Sequence, residues 1–151
     1  VKEMGVLLIF NGIGSIQRLL DLLKLAYSFD LVKEVILLRI SGAVAISGLP
    51  EAFKIAIKKN KNLLIFNKLE DIVEIFNLKD VLIIDDKYGE ETSINELSCE
   101  GVFMIPSSEI EISKEDLAYG KKIKINGIPS LSIGQVAFTS IFLYELSKKC
   151  K

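Results

Sequence analysis

Short β-branched apolar runs recur along this chain with helix-like segments between them, and that alternation limits the fold more than any other feature. The runs are Val6 to Phe10, Glu34 to Arg39, Leu63 to Phe66, Val81 to Asp85 and Val102 to Ile105, with Lys122 to Ile125 as a candidate sixth. The first five are nearly continuous in apolar side chains and bounded by polar turns, the pattern of strands covered on both faces in a parallel sheet. The intervening segments repeat at helical spacing. Leu19, Leu22, Leu23 and Ala26 mark a first helix from about Ser15 to Phe29, and Pro50 opens a second that carries Ala52, Phe53, Ala56 and Ile57. Leu69 to Phe76 is a short third helix, Ser93 to Leu97 a marginal one, and Ile133 to Leu146 a long apolar helix near the end. The expectation is a single α/β domain over residues 1–151, with a mostly parallel sheet covered by helices on both sides.

Size and composition agree with one domain. The chain has 151 residues, half of them apolar, enough to bury a core without disulfide or metal support. Cys99 and Cys150 match no disulfide framework or metal knuckle and are read as free thiols. No apolar run reaches the roughly 20 residues that span a bilayer, so a cytoplasmic protein with no membrane partner is expected.

Charge and residue type narrow the chemistry. The formal net charge is −1, with only two arginines, Arg18 and Arg39, and no histidine. A near-neutral balance does not advertise a polyphosphate partner, although it leaves room for a local basic patch. Without imidazole, Ser-His-Asp triads and histidine-ligated zinc sites are excluded. Arginine, lysine, carboxylates, hydroxyls and backbone groups are left to act.

Four places qualify as candidate sites. Asn11-Gly12-Ile13-Gly14-Ser15 joins the first strand to the first helix and reads first as a structural strand-to-helix turn; anion binding by free amides assisted by Arg18 is the alternative. Arg39 and Asp85-Asp86 end strands at the sheet's carboxyl edge, where α/β folds place ligands; the two aspartates read better as loop-solvating groups. Pro106-Ser107-Ser108-Glu109 follows the fifth strand. It either caps the helix beginning near Ser113-Lys114-Glu115-Asp116 or offers Glu109 to a polar ligand. Asn126 to Ser132 enters the last helix through cap candidates Ser130 and Ser132, with Lys121, Lys122 and Lys124 nearby.

The last of these segments carries a resemblance. Ser130-Leu131-Ser132-Ile133-Gly134-Gln135-Val136-Ala137, continuing to Leu143-Tyr144-Glu145-Leu146, is similar to the final motif of the SpoU/TrmH-like branch of the SPOUT RNA methyltransferases. Gly12-Ile13-Gly14-Ser15-Ile16-Gln17-Arg18 resembles that family's first motif, and Val102 to Ile105 with Ser107 to Leu117 its middle one. The resemblance implies a C-terminal trefoil knot, a homodimer through the C-terminal helix, and S-adenosylmethionine as cofactor, with no metal. It implies 2′-O-methylation of a ribose in tRNA or rRNA, hence a role in tRNA or rRNA processing, with Arg18 as the catalytic residue. The cofactor contacts it implies are Ile105, Pro106, Ser108, Glu109, Ile125, Ile128, Leu131 and Ser132. The sequence departs from the pattern at Gly12 and Ser132, where the family has Asn, and in the middle motif, which lacks three glycines. Those departures motivate a second expectation, a catalytically inactive knotted RNA-binding or structural protein. Another α/β enzyme or nucleotide-binding module is the third.

Overall fold

Alternation along the strands sorts the apolar side chains onto two faces of one sheet, as a period of two requires. A computed structural model describes residues 5–107 and 110–151. Its strands are β1 (Val6–Asn11), β2 (Val32–Leu38), β3 (Asn62–Phe66), β4 (Val81–Ile84), β5 (Glu90–Ser93), β6 (Val102–Pro106) and β7 (Gly120–Asn126). They form a seven-stranded sheet in the order β3-β2-β1-β6-β4-β7-β5, and every pairing is parallel. The helices are α1 (Ile16–Tyr27), α2 (Leu49–Lys58), α3 (Leu69–Phe76), α4 (Lys114–Leu117) and α5 (Gln135–Lys149). The expected α/β class with a parallel sheet and helical layers is therefore the observed one.

On one face Leu8, Phe10, Val35, Leu37, Phe103 and Ile105 meet Leu19, Leu22 and Leu23 of α1, Ala52 and Ala56 of α2, and Phe138, Phe142 and Leu146 of α5. On the other, Ile9, Ile36, Leu38, Ile83 and Met104 meet Leu69 and Ile72 of α3. Phe142 packs edge-on against Phe103, with ring centroids 5.1 Å apart, so this contact fixes α5 to the centre of the sheet. Removing an aromatic ring from such a site costs about 3–5 kcal/mol.

Several local expectations are refined. Ser15 caps α1 by accepting a hydrogen bond from the Arg18 N–H at 3.1 Å. The segment before Pro50 is already wound: a π-helical turn over Val44–Gly48 runs directly into α2. Glu90-Glu91-Thr92-Ser93, outside every apolar run, forms β5, which exists because it pairs with β7 at the sheet's edge. The marginal helix after Ser93 is a single 3-10 turn, Ile94–Glu96.

The two cysteines are not free. Cys99 and Cys150 form a disulfide with Cα atoms 5.7 Å apart, joining the turn before β6 to the end of α5. The Lys149 ammonium also donates to the Leu97 carbonyl in the same place. The free-thiol reading failed because the two positions become neighbours only when α5 docks on the sheet. None of the helices among the described residues is long and apolar enough to cross a membrane.

Candidate functional site

Parallel sheets place ligands at the carboxyl ends of the strands, in the crevice where successive connections leave toward opposite faces. Here β1 leads into α1 on one face, whereas the segment after β6 sends Ile112 into the apolar cluster on the other. The crevice between them is a cleft of about 370 Å³ lined by Asn11, Arg39, Ile110, Glu111 and residues 113–116.

Arg39 organises this cleft. It follows β2 in a left-handed backbone conformation, φ 57°, with its N–H donating to the Phe66 carbonyl at 2.9 Å. A non-glycine residue there is uncommon and is held by its surroundings. Those surroundings are polar and specific. Nη1 donates to Asp116 Oδ2 at 2.9 Å and Nη2 to Asp116 Oδ1 at 2.6 Å, a two-pronged pair, while Nη1 also reaches Asn11 Oδ1 at 3.4 Å. The hydrogen bond to Asp116 raises the guanidinium above its ordinary pKa; the nearby charges of Asp116 and Glu115 add to this and burial opposes it. Asp116 and Asn11 are almost wholly buried, at 2 % and 3 % exposure, whereas the Arg39 side chain is 36 % open.

The partners are positioned locally. Asn11 is the last residue of β1, registered between Leu38 and Pro106, and its carbonyl accepts from the Ser107 N–H at 2.8 Å. Asp116 sits in the first turn of α4, where its N–H donates to the capping hydroxyl of Ser113 at 3.1 Å. Gly12 then turns the chain at φ 77°, and a Cβ there would stand 2.6 Å from Ile110 Cδ1, so glycine keeps that cleft wall in place.

Other sequence candidates are distributed elsewhere. Arg18 and Ser132 share a second, larger cleft of about 720 Å³ between α1 and the start of α5. Ile105, Pro106, Ile125 and Leu131 are buried, and Ile128 packs against the core. The Ile105 carbonyl already accepts from Gln135 Nε2 at 2.8 Å, and the Leu131 N–H donates to Asp86 Oδ2 at 2.5 Å. Asp85 binds the Lys87 and Tyr88 N–H groups and lies 3.8 Å from the Lys122 ammonium, so both aspartates organise loops. Ser108 and Glu109 lie outside the described residues. The residue missed as a site member is Asp116, which had been noted only as part of a capped helix start.

Comparison with known proteins decides the family. The model of the family described as RecB-family nuclease (DUF2122) matches residues 42–145, more than half of the chain. The chain belongs to this family. A relative of this DUF2122 chain in Methanocaldococcus jannaschii, MjaORF1200P, carries a provisional assignment as a type II restriction enzyme; it is 30% identical over 130 residues, covering 83% of this chain and 85% of its own. ApeKORF2002P of Aeropyrum pernix, with the same provisional assignment, is 26% identical over 145 residues, covering 93% and 92%. Solved structures share the fold at low identity. The SpoU methyltransferase AviRb from Streptomyces viridochromogenes, in complex with the cofactor AdoMet, matches with a TM-score of 0.72 at 13% identity over 99% of the DUF2122 chain. The chain spans 59% of AviRb's length. The A. aeolicus TrmH/SpoU tRNA modifying enzyme matches with a TM-score of 0.64 at 13% identity, over 98% of this chain and 76% of that one.

These findings correct the sequence reading. Membership of the SpoU/TrmH-like methyltransferases, and with it 2′-O-methylation in tRNA or rRNA processing, is overturned by the nuclease family model and both relatives. The reading as an inactive RNA-binding protein gains nothing from them either. The physical reason is that the resembling segments are a glycine turn, a capped loop and an apolar terminal helix, which this architecture uses for folding whatever its chemistry. The DUF2122 chain shares the fold of those methyltransferases, and the likeness reaches no further.

Proposed function

We propose that this chain acts on a nucleic acid, gripping a phosphodiester at the cleft of Asn11, Arg39 and the 110–116 segment, with hydrolytic cleavage as the reaction. The description of its family and the names of its two relatives support the reaction class. The observation that carries the site is Arg39: a guanidinium at the carboxyl edge of the sheet, oriented from behind by buried Asp116 and Asn11, with about a third of its surface open. Asp116 and Asn11 take both Nη1 hydrogens and one of Nη2, which leaves Nε–H and the second Nη2 hydrogen as a planar pair of donors for two phosphate oxygens and the charge that grows on them as water attacks. In hydrolysis the water oxygen bonds to phosphorus, the bond to the leaving oxygen breaks, and the water's proton needs an acceptor. Glu111 and Glu115 on the rim are exposed carboxylates available for it, whereas Asp116 has both oxygens on Arg39. The family match includes the 110–116 rim; Asn11 and Arg39 precede it.

The test is incubation of the full chain with single- and double-stranded DNA and RNA oligonucleotides, followed by product analysis. Cleavage that is lost on replacing Arg39 and Asp116 together by alanine supports the reading. Neither binding nor cleavage of any of the four would end it.

A second reading, S-adenosylmethionine as a ligand, is supported by the AviRb complex with AdoMet. The residues here fit it poorly, since the Ile105 carbonyl and Leu131 N–H already have partners in this chain, and no step is routed through it. Saturable heat in a calorimetric titration with S-adenosylmethionine would support this reading, and a flat titration would remove it.

A further inference from the structure

Nucleases commonly hold one or two divalent ions with several carboxylates, which polarise the phosphate and activate water. The cleft does not fit that group. Its buried carboxylate, Asp116, accepts from Arg39 on both oxygens at 2.9 and 2.6 Å, so an ion would have to share it with the guanidinium. The guanidinium already puts a full positive charge beside it, and a second cation there would meet repulsion in a partly desolvated setting. Among the described residues the other acids of the cleft, Glu111 and Glu115, are exposed. Among the described residues no group of three or more His, Cys, Asp or Glu side chains is placed to hold a metal ion.

We infer that this cleft engages a phosphodiester through the chain's own cations, the Arg39 guanidinium with Lys114 on the rim, and with no resident divalent ion. The inference rests on the reading of a nucleic-acid substrate and goes beyond it by assigning the charge that a metal would otherwise supply. Arg39 is then the source of electrophilic assistance, and Asp116 a positioning residue that aims it.

Two measurements on the full chain separate this inference from the reading beneath it. In the first, manganese is titrated into the protein without nucleic acid and followed by electron paramagnetic resonance. In the second, binding of fluorescent DNA and RNA oligonucleotides is followed by anisotropy with magnesium and with EDTA. The expected result is no stoichiometric manganese uptake, and affinities that agree within about twofold once ionic strength is matched. Uptake of an ion per chain that Glu111→Gln with Glu115→Gln abolishes would overturn the inference, as would an affinity about tenfold weaker in EDTA. Manganese bound equally well by that double variant and by Asp116→Asn lies away from these carboxylates and leaves the inference standing, whereas uptake that Asp116→Asn abolishes would overturn it. Oligonucleotides that bind in neither buffer sink the nucleic-acid reading, while the manganese titration still decides the metal question.

Discussion

Arg39 and Asp116, 77 residues apart in the chain, meet through two parallel hydrogen bonds of 2.9 and 2.6 Å, and this pair ties the end of β2 to the first turn of α4. Breaking it from one side leaves a charge uncompensated. Asp116→Ala or Arg39→Ala should destabilise the fold by about 2–3 kcal/mol, below the ~3–5 of a wholly buried pair because the guanidinium is partly hydrated. The double variant should lose less than the sum of the two single changes, since neither charge is then stranded. Urea denaturation of the four proteins measures this, and strict additivity would contradict the coupling.

If Arg39 meets a phosphate, removing it should alter the salt dependence of binding as well as its strength. The slope of log affinity against log salt should fall by about one unit in the Arg39→Ala, Asp116→Ala double variant. Anisotropy titrations across a salt series would show it; an unchanged slope would place the phosphate elsewhere.

Gly12 and Gly14 lie in one turn but carry different constraints. An alanine at 12 meets Ile110 Cδ1 at 2.6 Å and must adopt φ 77°, whereas the nearest atom to an alanine at 14 is Arg18 Nη1 at 3.7 Å. Gly12→Ala should cost about 1–2 kcal/mol and weaken oligonucleotide binding by displacing the cleft wall, with Gly14→Ala close to neutral. Thermal melts alongside binding measurements separate the two variants.

The disulfide encloses β6, α4, β7 and α5. Closing a loop of 51 residues removes chain entropy worth about 4 kcal/mol from the unfolded state. Melting in the presence of a thiol reductant, or of Cys99→Ser with Cys150→Ser, should occur at a distinctly lower temperature. An identical Tm would mean that the bond does not form in solution.

Tyr27 gives an alkaline signature. Burial pushes its phenol above the usual value of 10.0, and the hydroxyl donates to the Asn62 carbonyl at 2.9 Å. The folded state keeps the proton while the unfolded chain releases it near pH 10, so this contribution is complete below that pH and is lost as pH rises further. Tyr27→Phe should cost about 1 kcal/mol at neutral pH and flatten the decline above pH 10, as read from denaturation curves at several pH values.

Much of the fold was legible because the strands and helices announce themselves in periodicity. The helix Leu69–Phe76 stands where spacing places it, the first helix starts beside Ser15, and the continuous apolar runs are the parallel strands. β5 was not legible: Glu90-Glu91-Thr92-Ser93 has no apolar alternation and becomes a strand only by bonding to β7. The cleft was half legible. Arg39 is visible as a charge at a strand's end, but its partner comes from a distant turn, and local patterning carries no information about which carboxylate arrives there. The terminal segments suggested a methyltransferase because loops that cap helices and glycines that turn strands follow from the architecture, while reaction chemistry depends on side chains that converge from separate elements.

The β5 margin also bears on how this molecule behaves in crowded solution. Glu90 and Glu91 stand on the outermost strand, and the Lys121 ammonium lies 2.7 Å from Glu90. A neighbouring copy approaching that border in register would bring like charges together, so ribbon-like growth from this side is discouraged.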